Sequence, residues 1–281
     1  MKKKTFNTII YIVLPILIVV AAIIVVTVVN RTKQQDTASQ EEAIITPAQL
    51  ADNQVGSGGT AGNLTDEVKD GSLLTQLGAQ VPDKEIDWDE LHKENKDIYA
   101  WLSVPGTDVE YPILQHPTEN DYYLEYNIDG SYGRPGCIYT QLYNTKDFTD
   151  PMTVIYGHNM HDGTMFATLH NFEDAAFFNN NKFFYIYTPE KTFVYEVYAA
   201  YQHSNAHLLL TVDTKTPESF WYYLIETLNR DCSMVEHVRS EDELGITLDS
   251  NCRVVTLSTC IKGQEDRRWL VQGVLVGDVT E

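Results

Sequence analysis

The chain has 281 residues, 43% of them hydrophobic and 21% charged, and its 20 Lys and Arg against 40 Asp and Glu give a formal net charge of -20. That length holds one sizeable domain with extensions, or two small domains. Residues 86–281 carry 13 of the basic and 31 of the acidic side chains, a charge of -18, which excludes a binder of nucleic acid or of an anionic membrane surface.

Residues 9–29, "IIYIVLPILIVVAAIIVVTVV", contain no charge. At about 1.5 Å per residue they span about 31 Å, the hydrocarbon thickness of a bilayer, so a transmembrane helix is expected there. No small-x-small cleavage site follows it cleanly, which favours an uncleaved anchor over a signal peptide. Lys2, Lys3 and Lys4 precede it and only Arg31 and Lys33 follow closely. The positive-inside bias therefore puts residues 1–8 in the cytoplasm and the rest outside the cell membrane. Residues 30–85, rich in Gln, Thr, Ser, Ala, Gly and Asp, read as a flexible extracellular stalk.

Residues 86–281 read as the folded domain. In "IDWDELHKENKDIYAWLSV", Asp87 is placed to cap a helix, Glu90 stands at the capping-box position and Leu91 begins the apolar face. "WLSVPGTDVEYPILQ" predicts two short strands turned at Pro105-Gly106. "TVIYGH" predicts a strand ending at His158, and "FFYIYTPEKTFVYEVYAAY" a hairpin around Thr188-Pro189-Glu190-Lys191. Next, "TPESFWYYLIETLNR" predicts an amphipathic helix with Thr216 as N-cap, Pro217 at the first helical position, and Trp221, Leu224, Ile225 and Leu228 on the buried face. "VVTLSTCIKGQEDRRWLVQGVLV" predicts two apolar strands joined by a polar loop. Many strands with two or three helices imply an α+β domain built on a β-barrel.

Four cysteines, Cys137, Cys232, Cys252 and Cys260, are too few for a disulfide scaffold in a domain of this size, and no CxxC suggests structural zinc. A Cys232–Cys252 bridge stays open. In "VVTLSTC" the strand alternation sets Val254, Thr256, Ser258 and Cys260 on one face, with the thiol at the strand's end beside a polar loop. A structural cysteine is small and buried, whereas a nucleophile needs a base and an anion stabiliser. His158, alone of the eight histidines in directly ending an apolar strand, is the candidate base, able to share a proton with a thiol and generate thiolate. His158 and His161 with Cys260 as metal ligands fit neither HExxH nor a zinc finger. Arg267 and Arg268 open the last strand, and one guanidinium could hold an oxyanion; parity alone selects neither.

"YGHNM" followed by "TMF", then "TLSTC", then an Arg opening the last strand, resembles the class B sortases from about Trp101 to Val276, as do "WLSVPGTDVEYPILQ" and "DYYL". The resemblance implies a closed eight-stranded β-barrel with an N-terminal helix and an additional helix before the catalytic strands. It implies a cysteine transpeptidase needing no cofactor or metal. Cys260 would attack a Thr carbonyl in the C-terminal sorting signal of a secreted protein, His158 would protonate the leaving amine, and Arg268 would steady substrate and oxyanion. An amine of the cell wall or of a pilin would resolve the thioacyl enzyme. In many members a glycine stands five residues after the catalytic arginine, as Gly273 does after Arg268, with Arg267 the fallback. Ser258, Tyr156, Asn120 and Leu124 match positions lining the substrate groove. An acidic residue often follows the family's cysteine; here it is Ile261. The competing readings are a membrane-tethered cysteine protease that only hydrolyses, and a surface assembly or binding protein in which Cys260 is structural.

Overall fold

The computed structural model describes residues 72–280. The expected anchor at 9–29 and most of the expected stalk lie outside them. Among the described residues no helix is long and apolar enough to cross a membrane.

Nine strands form one sheet: β1 (Ile98–Val104), β2 (Val109–Leu114), β3 (Ile138–Thr140), β4 (Met152–Tyr156), β5 (Phe183–Tyr187), β6 (Lys191–Ser204), β7 (His237–Val238), β8 (Val254–Ile261) and β9 (Gln264–Thr280). Their order is β5-β1-β2-β3-β4-β8-β9-β6-β7, and β5 also pairs with β6. That pairing closes eight strands into a barrel and leaves the two-residue β7 appended to β6. The β2–β3 and β4–β8 pairs are parallel and the rest antiparallel. The helices among the described residues are α1 (Ser72–Leu77), α2 (Trp88–Glu94), α3 (Tyr122–Glu125), α4 (Ala175–Asn180), α5 (Leu208–Thr211), α6 (Pro217–Leu228) and α7 (Glu241–Leu244), with a 3-10 helix at Ala167–Glu173.

Strand alternation divides the apolar side chains between two layers. From β8 and β9, Val255, Leu257, Trp269, Val271 and Leu275 fill the barrel with Phe166, Phe184 and Ile186. Val254, Leu270, Val274 and Val276 face outward beneath Phe220 and Leu224 of α6 and Leu244 of α7. The outward layer also buries a polar knot. Gln272 donates from Nε2 to Thr256 Oγ1 and to the Tyr223 hydroxyl, and accepts from the Tyr198 hydroxyl. Satisfying an amide inside an apolar layer fixes the register of α6 on the sheet.

Local chemistry explains most of the expected boundaries. Asp87 accepts from the Glu90 amide at the start of α2, and Gly106, at φ 81°, turns β1 into β2. The hairpin closes where Thr188 Oγ1 donates to the Lys191 carbonyl. Thr216 caps α6 by accepting from the Ser219 amide, with Pro217 in the first turn.

Three expectations need correction. Order begins before residue 86: Leu74 of α1 is buried and packs where Gly277 of β9 lacks a side chain. The hydroxyls of Tyr185 and Tyr187 donate to the Gln80 and Pro82 carbonyls. A six-residue helix is too short to show a periodicity, so only the groove on β9 reveals why "SLLTQL" folds. On α6 the buried residues are Phe220, Leu224 and Thr227, while Trp221 is exposed; the contact stripe is turned by one residue so that Phe220 fills the layer over β6 and β9. The polar "loop" before the last strand shrinks to Lys262 and Gly263, because Gln264–Arg267 already belong to β9.

Candidate active site

Strand β4 ends at Tyr156, and Gly157 carries the chain on to His158. A Cβ at Gly157 would lie 2.5 Å from Ile138 Cδ1 and 2.7 Å from Phe166, so only glycine lets the chain turn here against the barrel wall. The His158 carbonyl accepts from the Phe166 amide, closing the loop that follows. His158 Nε2 lies 2.8 Å from the Leu124 carbonyl of α3. A carbonyl only accepts, so Nε2 carries the hydrogen, and in the neutral ring Nδ1 is the nitrogen free to take a proton.

Cys260 is the exposed member of the four thiols, all of them free, so the Cys232–Cys252 bridge left open by the sequence is not formed. Burial pushes the Cys137 thiol up to about 12 and the Cys252 thiol up to about 11, which keeps both protonated at neutral pH. Directly across the β8–β9 ladder from Cys260 stands Arg268. Paired residues of an antiparallel ladder share a face. The next pair is Ile261 with Gln264, so Glu265, Asp266 and Arg267 bulge away from β8. The bulge holds the guanidinium: Arg268 Nη1 donates to the carbonyls of Glu265 and Arg267 at 3.0 and 2.8 Å. Arg267 has the opposite parity, pairs with Ser204 of β6 and is exposed. The register thus decides what the sequence left open, because only Arg268 joins Cys260 on one side of the sheet.

His158, Cys260 and Arg268 line one cleft of about 340 Å³, together with Tyr156, Ser258 and Leu124. Ser258 is buried and pairs with Tyr156 across the β4–β8 ladder. The Tyr156 ring stacks on Tyr139 at 5.5 Å, and its buried hydroxyl finds no partner. Burial, with the nearby Asp121 carboxylate, pushes that phenol well up, so it stays neutral.

Asn120 departs from expectation. Its Oδ1 accepts from the Leu142 amide, which makes it a brace for the loop beyond β3, and it is absent from the cleft wall. The neighbouring Asp121 takes the lining place. Its Oδ1 accepts from Gln141 Nε2 at 2.7 Å and from the Tyr139 hydroxyl at 3.3 Å. Gln141 Oε1 in turn accepts from His207 Nε2 at 2.7 Å. Asp121, Gln141 and His207 were invisible to sequence reasoning, because each comes from a different loop and no local motif joins them.

Cys260 also borders a second cavity of about 440 Å³, walled by Asn159, Met160, His161 and Lys262, and Arg134 stands with it between the two. A thiol flanked by two cavities, with an imidazole and a guanidinium at its side, suits attack on a carbonyl held in one space and resolution by a molecule arriving through the other.

The Sortase domain family matches residues 102–276. Sortase B of Listeria monocytogenes is 32% identical over 207 residues, which span 73% of this chain and 79% of that protein. Among solved structures, Clostridium perfringens sortase B superposes with a TM-score of 0.59 at 31% identity, covering 67% of this chain and 99% of that one. A Streptococcus pyogenes class B sortase involved in pilus biogenesis superposes with a TM-score of 0.56 at 30% identity, covering 68% and 98%. The family match spans well over half of the chain, and its sequence and structural relatives are of one class, so the chain belongs to the sortase family, as a class B member, and is a cysteine transpeptidase.

Proposed function

We propose that the protein cleaves the C-terminal sorting signal of secreted proteins and joins the new carboxyl end to an amine of the cell wall or of a pilin. The observation that carries this reading is the pairing of Cys260 with Arg268 across β8 and β9, with His158 in the same cleft.

In the first half-reaction the Cys260 thiolate attacks the scissile carbonyl, and the electron pair moves onto the carbonyl oxygen. Arg268, fixed by the carbonyls of its own bulge, neutralises that oxyanion. His158, protonated at Nδ1 while Nε2 stays tied to the Leu124 carbonyl, gives its proton to the departing amine. The C–N bond breaks and a thioester remains on Sγ. In the second half-reaction an acceptor amine attacks the thioester and loses its proton to His158, and the thiolate leaves. The cavity on the far side of Cys260 supports an acceptor route that need not wait for the peptide groove to empty. Ser258, Tyr156 and Leu124 line the groove for the signal, in which the attacked carbonyl belongs to Thr. Residues 9–29 anchor the chain in the cell membrane with the catalytic domain outside, where sorting signals and wall amines meet.

The test is mass spectrometry of the purified chain incubated with a library of sorting-signal peptides, with and without triglycine. A thioacyl adduct on Cys260 and a triglycine-joined product are expected. Cleavage whose product never incorporates triglycine would make the protein a hydrolase, and an unmodified Cys260 with every peptide would remove the reading.

A further inference from the structure

Cys260 stands at the end of β8, where both of its neighbouring ladders fail. On the β9 side the register breaks after the Cys260–Arg268 pair. On the β4 side the parallel ladder runs as far as Tyr156–Ser258, with the Gly157 amide donating to the Ser258 carbonyl at 3.2 Å. The next rung would be the residue 159 amide on the Cys260 carbonyl. A side chain takes its place: Asn159 Nδ2 donates to the Cys260 carbonyl at 2.9 Å.

A second side chain reaches the same oxygen. His170, from the 3-10 helix, sets Nε2 3.1 Å from the Cys260 carbonyl and 3.0 Å from Asn159 Nδ2. Its other nitrogen, Nδ1, meets Glu173 Oε1 at 2.5 Å. The ring stacks on Trp269, the residue after Arg268, with centroids 5.9 Å apart. Trp269 Nε1 in turn donates to the Leu169 carbonyl of the same 3-10 helix.

Donor and acceptor logic fixes the roles. Glu173 as a carboxylate only accepts, so His170 Nδ1 carries a hydrogen. With a neutral ring, Nε2 accepts one Asn159 N–H while the other holds the Cys260 carbonyl. With a doubly protonated ring, Nε2–H itself adds a second bond to that carbonyl. In both states the oxygen is held, and a flipped Asn159 would set two oxygens against each other.

We infer that Asn159, His170 and Glu173 are positioning residues for the transpeptidation, clamping the Cys260 carbonyl so that the thiol at a frayed strand end stays aligned between His158 and Arg268. None of the three lines the cleft that holds those groups; Asn159 borders only the second cavity, and the contact on which all three converge, Glu173 through His170, is with the backbone of Cys260. A strand end that moves by about 1 Å loses about 100-fold in rate.

The inference rests on the transpeptidase reading only for its kinetic consequence, so the test has two readouts on the full chain. Hydrogen exchange across Leu257–Gly263 needs no substrate. Asn159→Ala and His170→Ala should raise it about fivefold, the fold-change of one ordinary hydrogen bond, in proteins that remain folded. Unchanged exchange in both would overturn the clamp whatever the enzyme does. With a cleaved peptide, kcat should fall about 10- to 100-fold in both variants while KM stays within about twofold. His170→Gln, which keeps an N–H donor at this reach, should recover most of the lost kcat. A rise in KM at constant kcat, or an equal loss in His170→Ala and His170→Gln, would overturn positioning in favour of a peptide contact or of packing on Trp269. If wild type cleaves no peptide while the variants raise exchange, the clamp stands and the transpeptidase reading fails.

Discussion

A cysteine stands just before β8 and another near its far end, at positions of equal parity, and they differ in everything that decides reactivity. Cys252 lies just before the strand in the layer shared with Leu244 and Leu248, its sulfur accepting from the Asp249 amide at 3.3 Å. Burial holds it as a thiol. Eight residues on, Cys260 opens into a cleft with an imidazole and a guanidinium beside it. Leu244 of α7 and Leu248 beyond it cover one end, whereas the other end opens into the cleft. Residue type and parity are equal at the two ends, so the covering layer is what separates a core cysteine from a nucleophile.

The sharpest break in that comparison is to remove each sulfur in turn. Cys260→Ala should abolish thioacyl formation, seen as the loss of the peptide adduct in an intact-mass spectrum. Cys252→Ala should keep full turnover and cost about 1 kcal/mol of stability, read as a lower melting temperature. Turnover above background in Cys260→Ala would move the nucleophile elsewhere.

Arg268 and Arg267 extend the comparison across the ladder. Arg268→Ala should lower kcat by about 100- to 1,000-fold, the usual loss for an oxyanion donor. Arg267→Ala, exposed and of opposite parity, should stay within about twofold. The reverse ranking in steady-state kinetics would show that the bulge places the other guanidinium at the carbonyl.

This pair also marks where the sequence stops being legible. Alternation alone set Val254, Thr256, Ser258 and Cys260 on one face, and the hairpin at Thr188–Lys191 and the cap at Thr216 follow from local chemistry. The choice between adjacent arginines depends on a three-residue bulge in β9, and a bulge has no composition of its own. Asp121, at the N-cap of α3, lines the groove where Asn120 was expected, because a motif match cannot tell two neighbouring positions at a helix start apart. Asn159 and His170 reach Cys260 across 101 and 90 residues of chain, side chain to backbone, a contact that leaves no periodic trace. Helix α1 escaped notice because its single buried leucine needs Gly277, some 200 residues away, to be intelligible.

Gly136 tests the open end from the histidine side. It sits at φ 65°, and a Cβ there would come within 2.9 Å of the Leu124 carbonyl that holds His158, and 2.7 Å of the Tyr123 carbonyl. Gly130 has a similar φ of 79° with nothing nearby. Both Gly→Ala changes should cost about 1–2 kcal/mol in left-handed strain. Only Gly136→Ala should also lower kcat, by about tenfold, because its collision displaces the acceptor of the His158 ring. Equal kcat in the two variants would mean that the Leu124 contact does not orient the base.

The covered end has a titratable group of its own, two strands from Cys252. Glu196 of β6 faces Val274, which in turn pairs with Val254. It is buried, one of its oxygens has no hydrogen-bond partner, and burial raises its carboxyl to about 7 from an ordinary 4.5, against the pull of Lys182 and Arg239. A raised carboxyl binds its proton more tightly in the folded state, so its contribution is fully present below about pH 4.5 and lost as the pH rises through about 7. Glu196→Gln imitates the protonated form at every pH. Wild type and variant should melt together near pH 4.5 and separate by pH 8, the variant higher by about 1–3 kcal/mol of stability. Peptide turnover at pH 8 should be unchanged, because the group belongs to the closed end of the barrel wall. A melting difference that stays constant from pH 4.5 to 8 would show that Glu196 titrates as an ordinary carboxylate. In that case the covered end is better solvated than the burial of Cys252 implies, and covering would no longer account for the contrast between the two thiols.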